Sequence, residues 1–407
     1  MKHVGPLLLA ASALAAETPA AKPSSAAAKP AVEVRGHVGI EGQAFWREAQ
    51  DPRQAEAVFS TLVQPELRLT WPSDGPRVVF TPFHRWDASD NTRSHFDIRE
   101  LSFNQTWESL SVRAGVSKVF WGATEFAHVV DVINQTDLVE DIEGEEKLGQ
   151  PMVALEKRTD YGKFEAFWLP YFRERTFPGP AGRPRVIPRI LDNEALYESS
   201  REEWHQDFAV RWSKSFDTLD VGLSHFHGTT REPRYVPAVR GGEVVLVPLY
   251  EQVDQTGLDA QYVDGSWLWK AEAMLRKGQG PETFTRAAAG VEYTFYAVWG
   301  TSADLGLVAE YLYDSSGDNL INPYERDVGL GLRLAFNDQA STEMLAGVIL
   351  DTRDGTAIGK IEASRRLGER WKLNLTARSF HNIPANDQPL GGLRRDDSLL
   401  VGLRYHF

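Results

Sequence analysis

The sequence predicts an all-β fold: a transmembrane antiparallel up-and-down β-barrel of about 18 strands, with 16 also compatible with the pattern. Three observations predict it. Runs of about ten residues that alternate between apolar and polar side chains follow one another from Glu33 to the C-terminus. The final run ends in an aromatic residue at the chain terminus. Short connections alternate with longer ones, and the three longest fall at one end of the predicted barrel, where we expect extracellular loops.

The last strand shows the alternation most clearly. One face is apolar and the other carries an arginine and a histidine: Leu399, Val401, Leu403, Tyr405 and Phe407 alternate with Leu400, Gly402, Arg404 and His406. An exposed apolar edge of this kind invites aggregation in water, whereas closure into a barrel in lipid pairs the edge with the first strand. A terminal strand of a soluble sandwich is the alternative interpretation.

The other strands follow from the same pattern, each bounded by turn residues. The predicted strands cover residues 35–46, 63–71, 77–86, 95–107, 110–119, 152–158, 163–172, 206–216, 218–228, 255–263, 266–276, 284–298, 302–313, 325–336, 341–351, 357–367 and 370–381, before the closing strand. A change of phase near Arg99 and Glu100 predicts a β-bulge. Aromatic residues near strand ends, among them Trp46, Trp107, Trp121 and Phe172, predict girdles at the membrane interfaces.

Composition excludes several classes of protein. The chain has 407 residues, no cysteine and a formal net charge of −13. A disulfide framework and thiolate chemistry are therefore excluded, and the acidic balance argues against nucleic acid as a partner. After the N-terminal stretch, no apolar run is long enough for a transmembrane helix. We expect no cofactor and no metal site, since the acidic residues lack the spacing of a calcium loop.

The N-terminus carries an export signal pattern. A thin basic start, an apolar stretch and the small-residue pattern Ala13-Leu14-Ala15 predict a signal peptide over residues 1–15. Residues 16–32 are rich in Ala, Pro, Lys and Ser and predict a flexible periplasmic segment, and residues 33–407 form the barrel.

Charged residues occupy the faces opposite the apolar ones. The candidate lumen-lining residues are Arg68, Arg113, Arg211, Lys270, Arg286, Arg333, Arg378, Arg404, Glu66, Glu292 and Glu310. An arginine or lysine facing lipid near the midplane would cost about 2–4 kcal/mol, so these side chains must face water or each other. A barrel of about 18 strands is wide enough for an aqueous channel.

The long connection from Trp121 to Gln150 is the candidate pore constriction. Its candidate residues are Trp121, Gly122, Glu125, His128, Asp131, Asn134 and Asp137. We expect a short helix from Ala123 to Val132, with Thr124 as its N-cap and an apolar stripe that packs on the barrel wall. Two positions remain open for this loop: inside the pore, or outside it as a flap. Its acidic end is expected to pair with the basic start of the next long loop, Arg173 to Arg189.

The segment LSVRAGVSKVFWGATE…VVDVINQTDL resembles a pattern of proteobacterial outer-membrane porin-like proteins. The matched positions are Trp121, Gly122, Glu125, Asn134 and Asp137. The last strand also resembles the assembly signal of bacterial outer-membrane barrels. The resemblance implies a channel in the outer membrane of a Gram-negative bacterium, with membrane lipid and the barrel-assembly machinery as partners.

The function expected from these features is passive diffusion of small polar or charged solutes, with no enzymatic activity. A non-conducting structural or adhesion barrel is one alternative. An outer-membrane hydrolase that uses His225, His227 or the Asp396-Asp397 pair is another. The sequence leaves open the solute, the ion selectivity and the choice between a monomer and a homotrimer.

Overall fold

The computed structural model describes residues 29–317, 324–387 and 390–407, so the predicted signal peptide and residues 16–28 lie outside the described residues. The strands are β1 (Ala31–Phe45), β2 (Ala57–Thr70), β3 (Arg77–Asp87), β4 (His95–Trp107), β5 (Leu110–Ser117), β6 (Gln150–Thr159), β7 (Gly162–Leu169), β8 (Leu196–Tyr197), β9 (Asp207–Phe216), β10 (Leu219–Thr229), β11 (Arg234–Arg240), β12 (Glu243–Tyr250), β13 (Gln252–Asp264), β14 (Trp267–Lys277), β15 (Phe284–Phe295), β16 (Asp304–Asp314), β17 (Arg326–Ala335), β18 (Glu343–Asp351), β19 (Ala357–Leu367), β20 (Trp371–His381) and β21 (Ser398–His406).

Eighteen of these strands form one closed antiparallel barrel, which confirms the predicted fold class and strand number. Each barrel strand pairs with the next one along the chain, and β21 pairs with β1 from His37 opposite His406 to Phe45 opposite Ser398. The backbone N–H of Gly36 donates to the carbonyl of Phe407, and the N–H of Phe407 donates to the carbonyl of Gly36, both at 3.1 Å. No barrel strand is therefore left with an unpaired edge.

The predicted bulge in β4 is confirmed. Opposite β3, Thr81 pairs with Glu100 and Pro82 pairs with Ile98, so Arg99 is the extra residue on β4. A bulge turns the following side chains to the other face and increases the local twist. The proline on the partner strand, which has no N–H to donate to the ladder, lies at this interruption.

The two faces of the barrel differ in polarity. On β16, Leu307 and Tyr311 are 40% and 47% exposed on the outside, whereas Val308 and Glu310 point inward and are buried. An apolar surface that continues around the whole ring is unfavourable in water and suits lipid. The prediction of an interfacial position is wrong for two aromatic residues, Trp121 and Phe172. Both are buried in the interior, because they belong to long connections that fold inward.

A small second sheet is separate from the barrel ring, and its strands belong to two connections that were predicted only as long loops. Strands β11 and β12 form a hairpin, and β12 also pairs in parallel with β8. Gly241 and Gly242 form its two-residue turn with φ of 58° and 84°, a conformation that favours glycine. The described 3-10 helices are Asp192–Glu194, Glu202–Trp204, Val298–Gly300 and Leu390–Gly392. Within the described ranges, no helix has the length and apolar character needed to cross a membrane.

Candidate functional site

The connection between β5 and β6, residues 118–149, is called the inner loop below. Its two ends are held together by Asn134, which is 1% exposed. The Asn134 amide oxygen accepts the N–H of Val119 at 2.7 Å, and its amide nitrogen donates to the carbonyls of Ser117 and Leu148 at 2.9 and 2.8 Å. A single buried side chain thus fixes where the loop leaves the wall and where it returns.

One side of the inner loop packs in an apolar core against the barrel wall. The loop contributes Trp121, Val130, Val132 and Ile133 to this core. The wall contributes inward-facing residues of five strands, β6, β7, β9, β10 and β13: Met152, Ala154, Phe167, Leu169, Ala209, Phe226 and Val253. This arc of the interior is therefore filled by side chains, and burial of the apolar surface holds the loop in place.

The predicted helix from Ala123 to Val132 is wrong. The backbone N–H groups of this stretch bind wall carboxylates instead of carbonyls one helical turn away. Glu272 on β14 accepts the N–H groups of Ala123 and Thr124 at 2.6 and 2.9 Å and that of Val130 at 3.3 Å. The Thr124 hydroxyl also donates to Glu272, at 2.7 Å, so it caps no helix. Hydrogen bonds to a buried charge are stronger than neutral ones, and here they replace the helical pattern.

Glu310 on β16 binds the next two N–H groups, those of Glu125 and Phe126, at 2.8 and 3.0 Å. The Phe126 ring then lies over glycines of β17 and β18. A Cβ added at Gly329 would be 2.4 Å from the ring, and one added at Gly347 would be 2.9 Å away. These positions therefore admit the ring only because they have no side chain.

Gly122 makes the approach to Glu272 possible on the loop side. Its φ is +147°, and an added Cβ would be 2.9 Å from the Glu272 carboxylate. Glu125 extends from the same part of the loop to two wall cations. Its carboxylate is 2.6 Å from Arg333 on β17 and 3.7 Å from Lys270 on β14.

The acidic end of the inner loop pairs with the barrel wall. Glu140 accepts hydrogen bonds from Arg85 on β3 at 2.7–3.0 Å. Arg378 on β20 donates to Asp141 at 2.9 Å and to Glu143 at 2.8 Å, and Lys360 on β19 pairs with Glu143. Because these wall cations already neutralise it, the acidic end does not pair with the basic start of the next loop, and that prediction is wrong.

The basic residues of the next loop have other partners. Arg173 pairs with Asp97 on β4 at 2.8 Å, Arg183 with Asp396 at 2.8 Å, and Arg185 with Asp51 at 2.6 Å. These pairs fix the second long connection to β4 and to two other connections at the same end of the barrel.

The inner loop bonds to strands all around the ring: β3, β4, β14, β16, β17, β19 and β20. On β4, Arg99 donates to Asp137 at 2.7 Å. A single segment reaches strands on opposite arcs of a closed ring only by crossing the space that the ring encloses. The loop therefore divides the interior, with its apolar side against the arc from β6 to β13.

Two loop aspartates are buried in different electrostatic surroundings. Burial opposes the ionisation of Asp137, but Arg99 and the Thr176 hydroxyl hold its pKa below the usual aspartate value. Burial raises the pKa of Asp131, which Lys147 at 3.4 Å only partly offsets. The ring nitrogens of His128 are 4.0 Å from Glu272 on the wall and 3.9 Å from Glu145 on the loop.

The remaining predicted lumen residues lie on the inward face and are mostly paired. Arg211 forms a two-point ion pair with Asp259 at 2.7 and 2.8 Å, and its guanidinium is 5.3 Å from the Trp121 ring. The other pairs are Arg68 with Glu66 at 2.7 Å, Arg113 with Asn104 at 3.1 Å, Arg286 with Asp314 at 2.6 Å, Lys270 with Glu292 at 3.5 Å and Arg404 with Glu41 at 3.3 Å.

Comparisons with known proteins do not identify a family for this chain. No family model matches the chain, and no curated protein matches it. Among solved structures, a triple mutant of Rhodopseudomonas blastica porin is 14% identical, covers 93% of this chain and 100% of its own, and has a TM-score of 0.45. Another variant of that porin is 15% identical with the same coverage and TM-score. A likeness this weak carries no argument about function, and the positions matched by the WG-x-x-E and N-x-x-D pattern remain a resemblance.

The histidine pair and the aspartate pair considered for a hydrolase lie in separate places. His227 binds Asp254 at 2.9 Å and His225 binds the Thr256 hydroxyl at 3.0 Å, and both histidines are exposed. Asp396 is buried against Arg183, and Asp397 pairs with Arg47 at 3.0 Å. Within the described parts of the chain, no group of three or more His, Cys, Asp or Glu residues is arranged to hold a metal ion.

Sequence reasoning missed the residue that holds the inner loop most directly, Glu272. It lies on the polar face of its strand, and nothing in the alternation distinguishes it from its neighbours. A different signal was present in β18, where Leu345 and Ile349 put apolar side chains on the face that should be polar. Two apolar side chains on an inward face predict that other apolar side chains pack against them inside the barrel.

Proposed function

We propose that this barrel is an outer-membrane channel for the passive diffusion of small polar or charged solutes, and that the inner loop is its constriction. A continuous apolar exterior suits lipid, and a closed ring of this size encloses more space than its own wall side chains fill. The open space lies beside the inner loop, on the arc from β16 through β21 to β3.

The observation that carries the proposal is the attachment of the inner loop. It is anchored on one arc by an apolar core and on the rest of the ring by the carboxylates Glu272 and Glu310 and by the pairs of Arg85, Arg378 and Lys360. A loop fixed at so many points keeps a constant cross-section, which is what selection by size and charge requires.

Charge lines both sides of the passage. On the loop side lie Glu125 and Glu145, and on the wall side lie Lys270, Arg333 and Glu362. Fixed charges of both signs act on a passing ion over a distance comparable with the screening length in physiological salt, about 8 Å. The same mixed lining is the reason to propose small polar or charged solutes as the cargo.

The test is the conductance of a barrel without the constriction. Deletion of residues 124–146 with a short Gly-Ser connection should raise single-channel conductance in planar bilayers by about twofold or more, because the loop no longer divides the interior. Unchanged conductance would place the limiting narrow point elsewhere.

The matched control replaces the exposed connection between β15 and β16, residues 296–302, with a similar Gly-Ser connection. This connection lies at the end of the barrel opposite the inner loop, and none of its residues lines the open space beside that loop, so its replacement should leave the current through the barrel within experimental scatter of the parent value. An absence of any ion current through the correctly folded parent barrel would favour the alternative of a structural or adhesion barrel.

A further inference from the structure

Beside the inner loop, the interior contains a chamber of about 620 Å³ with apolar walls. Its wall includes Val308 and Leu312 of β16, Leu345 and Ile349 of β18, and Ile358 of β19. In the strand register, Ile349 is opposite Ile358, and Leu345 is opposite the inward-facing Glu362. These five apolar residues therefore point into the barrel and away from lipid.

The apolar character continues on the loops that close the chamber. The inner loop contributes Phe126 and Ile142, and the connection between β7 and β9 contributes Phe177 and Ile190. Apolar side chains that face a water-filled passage are unfavourable unless something apolar covers them. Here the loops cover only part of the wall, and the volume that remains is in the range of pockets that hold small molecules.

The charged groups around the chamber differ in whether they have an ion-pair or hydrogen-bond partner. The four cations are all engaged: Lys147 with Asp131 at 3.4 Å, Arg286 with Glu232 at 2.6 Å, Lys360 with Glu362 at 3.0 Å and Arg175 with the side-chain oxygen of Gln135 at 3.3 Å. Of the five carboxylates, Glu125, Glu143, Glu232 and Glu362 pair with wall or loop cations.

Glu145 is the exception among the described residues. No described lysine or arginine lies within 4.0 Å of its carboxylate; His128 is 3.9 Å away, and the Glu145 side chain, which lines the chamber, is 57% exposed. A carboxylate that lines a chamber and has no lysine or arginine partner is available to pair with the cationic group of a ligand.

We propose that the chamber binds small amphipathic cations, with an apolar or aromatic body against β16, β18 and β19 and an ammonium group at Glu145. This inference rests on the proposed function, because it assigns a solute class to the same passage. Binding before the constriction raises the local concentration of the solute at the narrow point, as a selective channel requires.

Four probes separate the two parts of the proposal: benzyltrimethylammonium, tetramethylammonium, benzenesulfonate and methanesulfonate. In titration calorimetry on the detergent-solubilised full barrel, benzyltrimethylammonium should bind at least about tenfold more tightly than each of the other three. Equal affinity for the two cations would overturn the apolar site, and tighter binding of benzenesulfonate would overturn the cationic end.

Two matched variants locate the charge. Glu145→Gln should weaken benzyltrimethylammonium binding by about tenfold, whereas Glu146→Gln, whose carboxylate pairs with Lys118 outside the chamber, should change it less than about twofold. Equal effects of the two substitutions would overturn the assignment to Glu145. Ile349→Asn should reduce the preference for the aromatic cation over tetramethylammonium, and an unchanged preference would contradict the wall assignment.

The channel itself is tested separately. In planar bilayers, benzyltrimethylammonium added to the long-loop side should interrupt the ion current at lower concentration than tetramethylammonium does. A barrel that conducts but does not discriminate between the probes in either measurement contradicts only the chamber. A barrel that binds benzyltrimethylammonium as expected but carries no current contradicts the proposed channel and leaves the binding site standing.

Discussion

At the scale of single residues, buried carboxylates that accept backbone N–H groups decide the path of the inner loop. Glu272 is 2% exposed and accepts three N–H groups and one hydroxyl of the loop. A hydrogen bond to a charged group contributes about 1.5–3 kcal/mol, so such a site competes successfully with one turn of helix. Asn134 acts in the same way at the base of the loop, as a neutral donor and acceptor.

Asp396 gives a residue-scale prediction about pH. Burial raises its pKa to about 6, although Arg183 opposes the shift. This folded-state pKa lies above the ordinary aspartate value of 3.8, so the folded protein binds more protons than the unfolded chain between these pH values. The protonated group therefore contributes stability that is fully present below pH 3.8 and is lost as the pH rises through about 6.

The measurement is the midpoint of thermal unfolding, followed by the heat-dependent gel mobility of the barrel. Between pH 4 and pH 7 the midpoint of the parent protein should fall by more than that of Asp396→Asn, which cannot titrate. Parallel curves for the two proteins would show that Asp396 is already ionised at the acid end of this range.

At the scale of elements, β17 and β18 are shaped to receive the inner loop. Their inward faces carry glycines at the place where the Phe126 ring lies, and the neighbouring strands supply Glu310 and Lys360. The loop and this part of the wall are complementary in shape as well as in charge, which explains why glycine occurs in strands that otherwise favour branched residues.

Gly329→Val tests this complementarity. The new side chain would occupy the volume of the Phe126 ring, whose nearest atom is 2.4 Å from the added Cβ. We expect the loop tip to detach, with noisier current and easier cleavage of the loop by protease. Gly42→Val is the control, since its added Cβ meets nothing within 4 Å. Equal protease resistance of the two variants would contradict the contact.

At the scale of the whole molecule, closure of the ring holds the fold together. The β1–β21 pairing joins residues at opposite ends of the chain and leaves no barrel strand with a free edge. The three long connections all emerge at one end, while the opposite end has short turns such as Glu108-Ser109 and Gly265-Ser266. This asymmetry is the one expected of outer-membrane barrels.

Removal of residues 398–407 should abolish the folded barrel. Without β21, the edges of β1 and β20 have no partner in lipid, where each unsatisfied backbone group costs several kcal/mol. We expect the shortened chain to lose the heat-dependent gel mobility of a folded barrel. Replacement of the β11–β12 hairpin, residues 235–249, by a short connection changes no strand of the ring and should preserve this mobility. A shortened chain with normal mobility would show that the ring closes without β21.

The sequence by itself determined the architecture. Alternation is a local property, so it specified which face of each strand meets lipid, the bounds of β4 from His95 to Trp107 and the bulge at Arg99. The pattern was weaker where a connection carries its own structure, and the β11–β12 hairpin was missed although a Gly-Gly turn joins two apolar runs there.

Only the tertiary structure decided what fills the barrel. The N–H groups of Ala123 and Thr124 bind a carboxylate about 150 residues further along the chain, and the acidic end of the loop binds Arg378, 235 residues beyond Glu143. No local pattern encodes such partners, because ring closure sets which inward faces lie opposite each other. The periodicity of the sequence determines whether a side chain points into or out of the barrel. The closure of the ring determines which residues that side chain contacts.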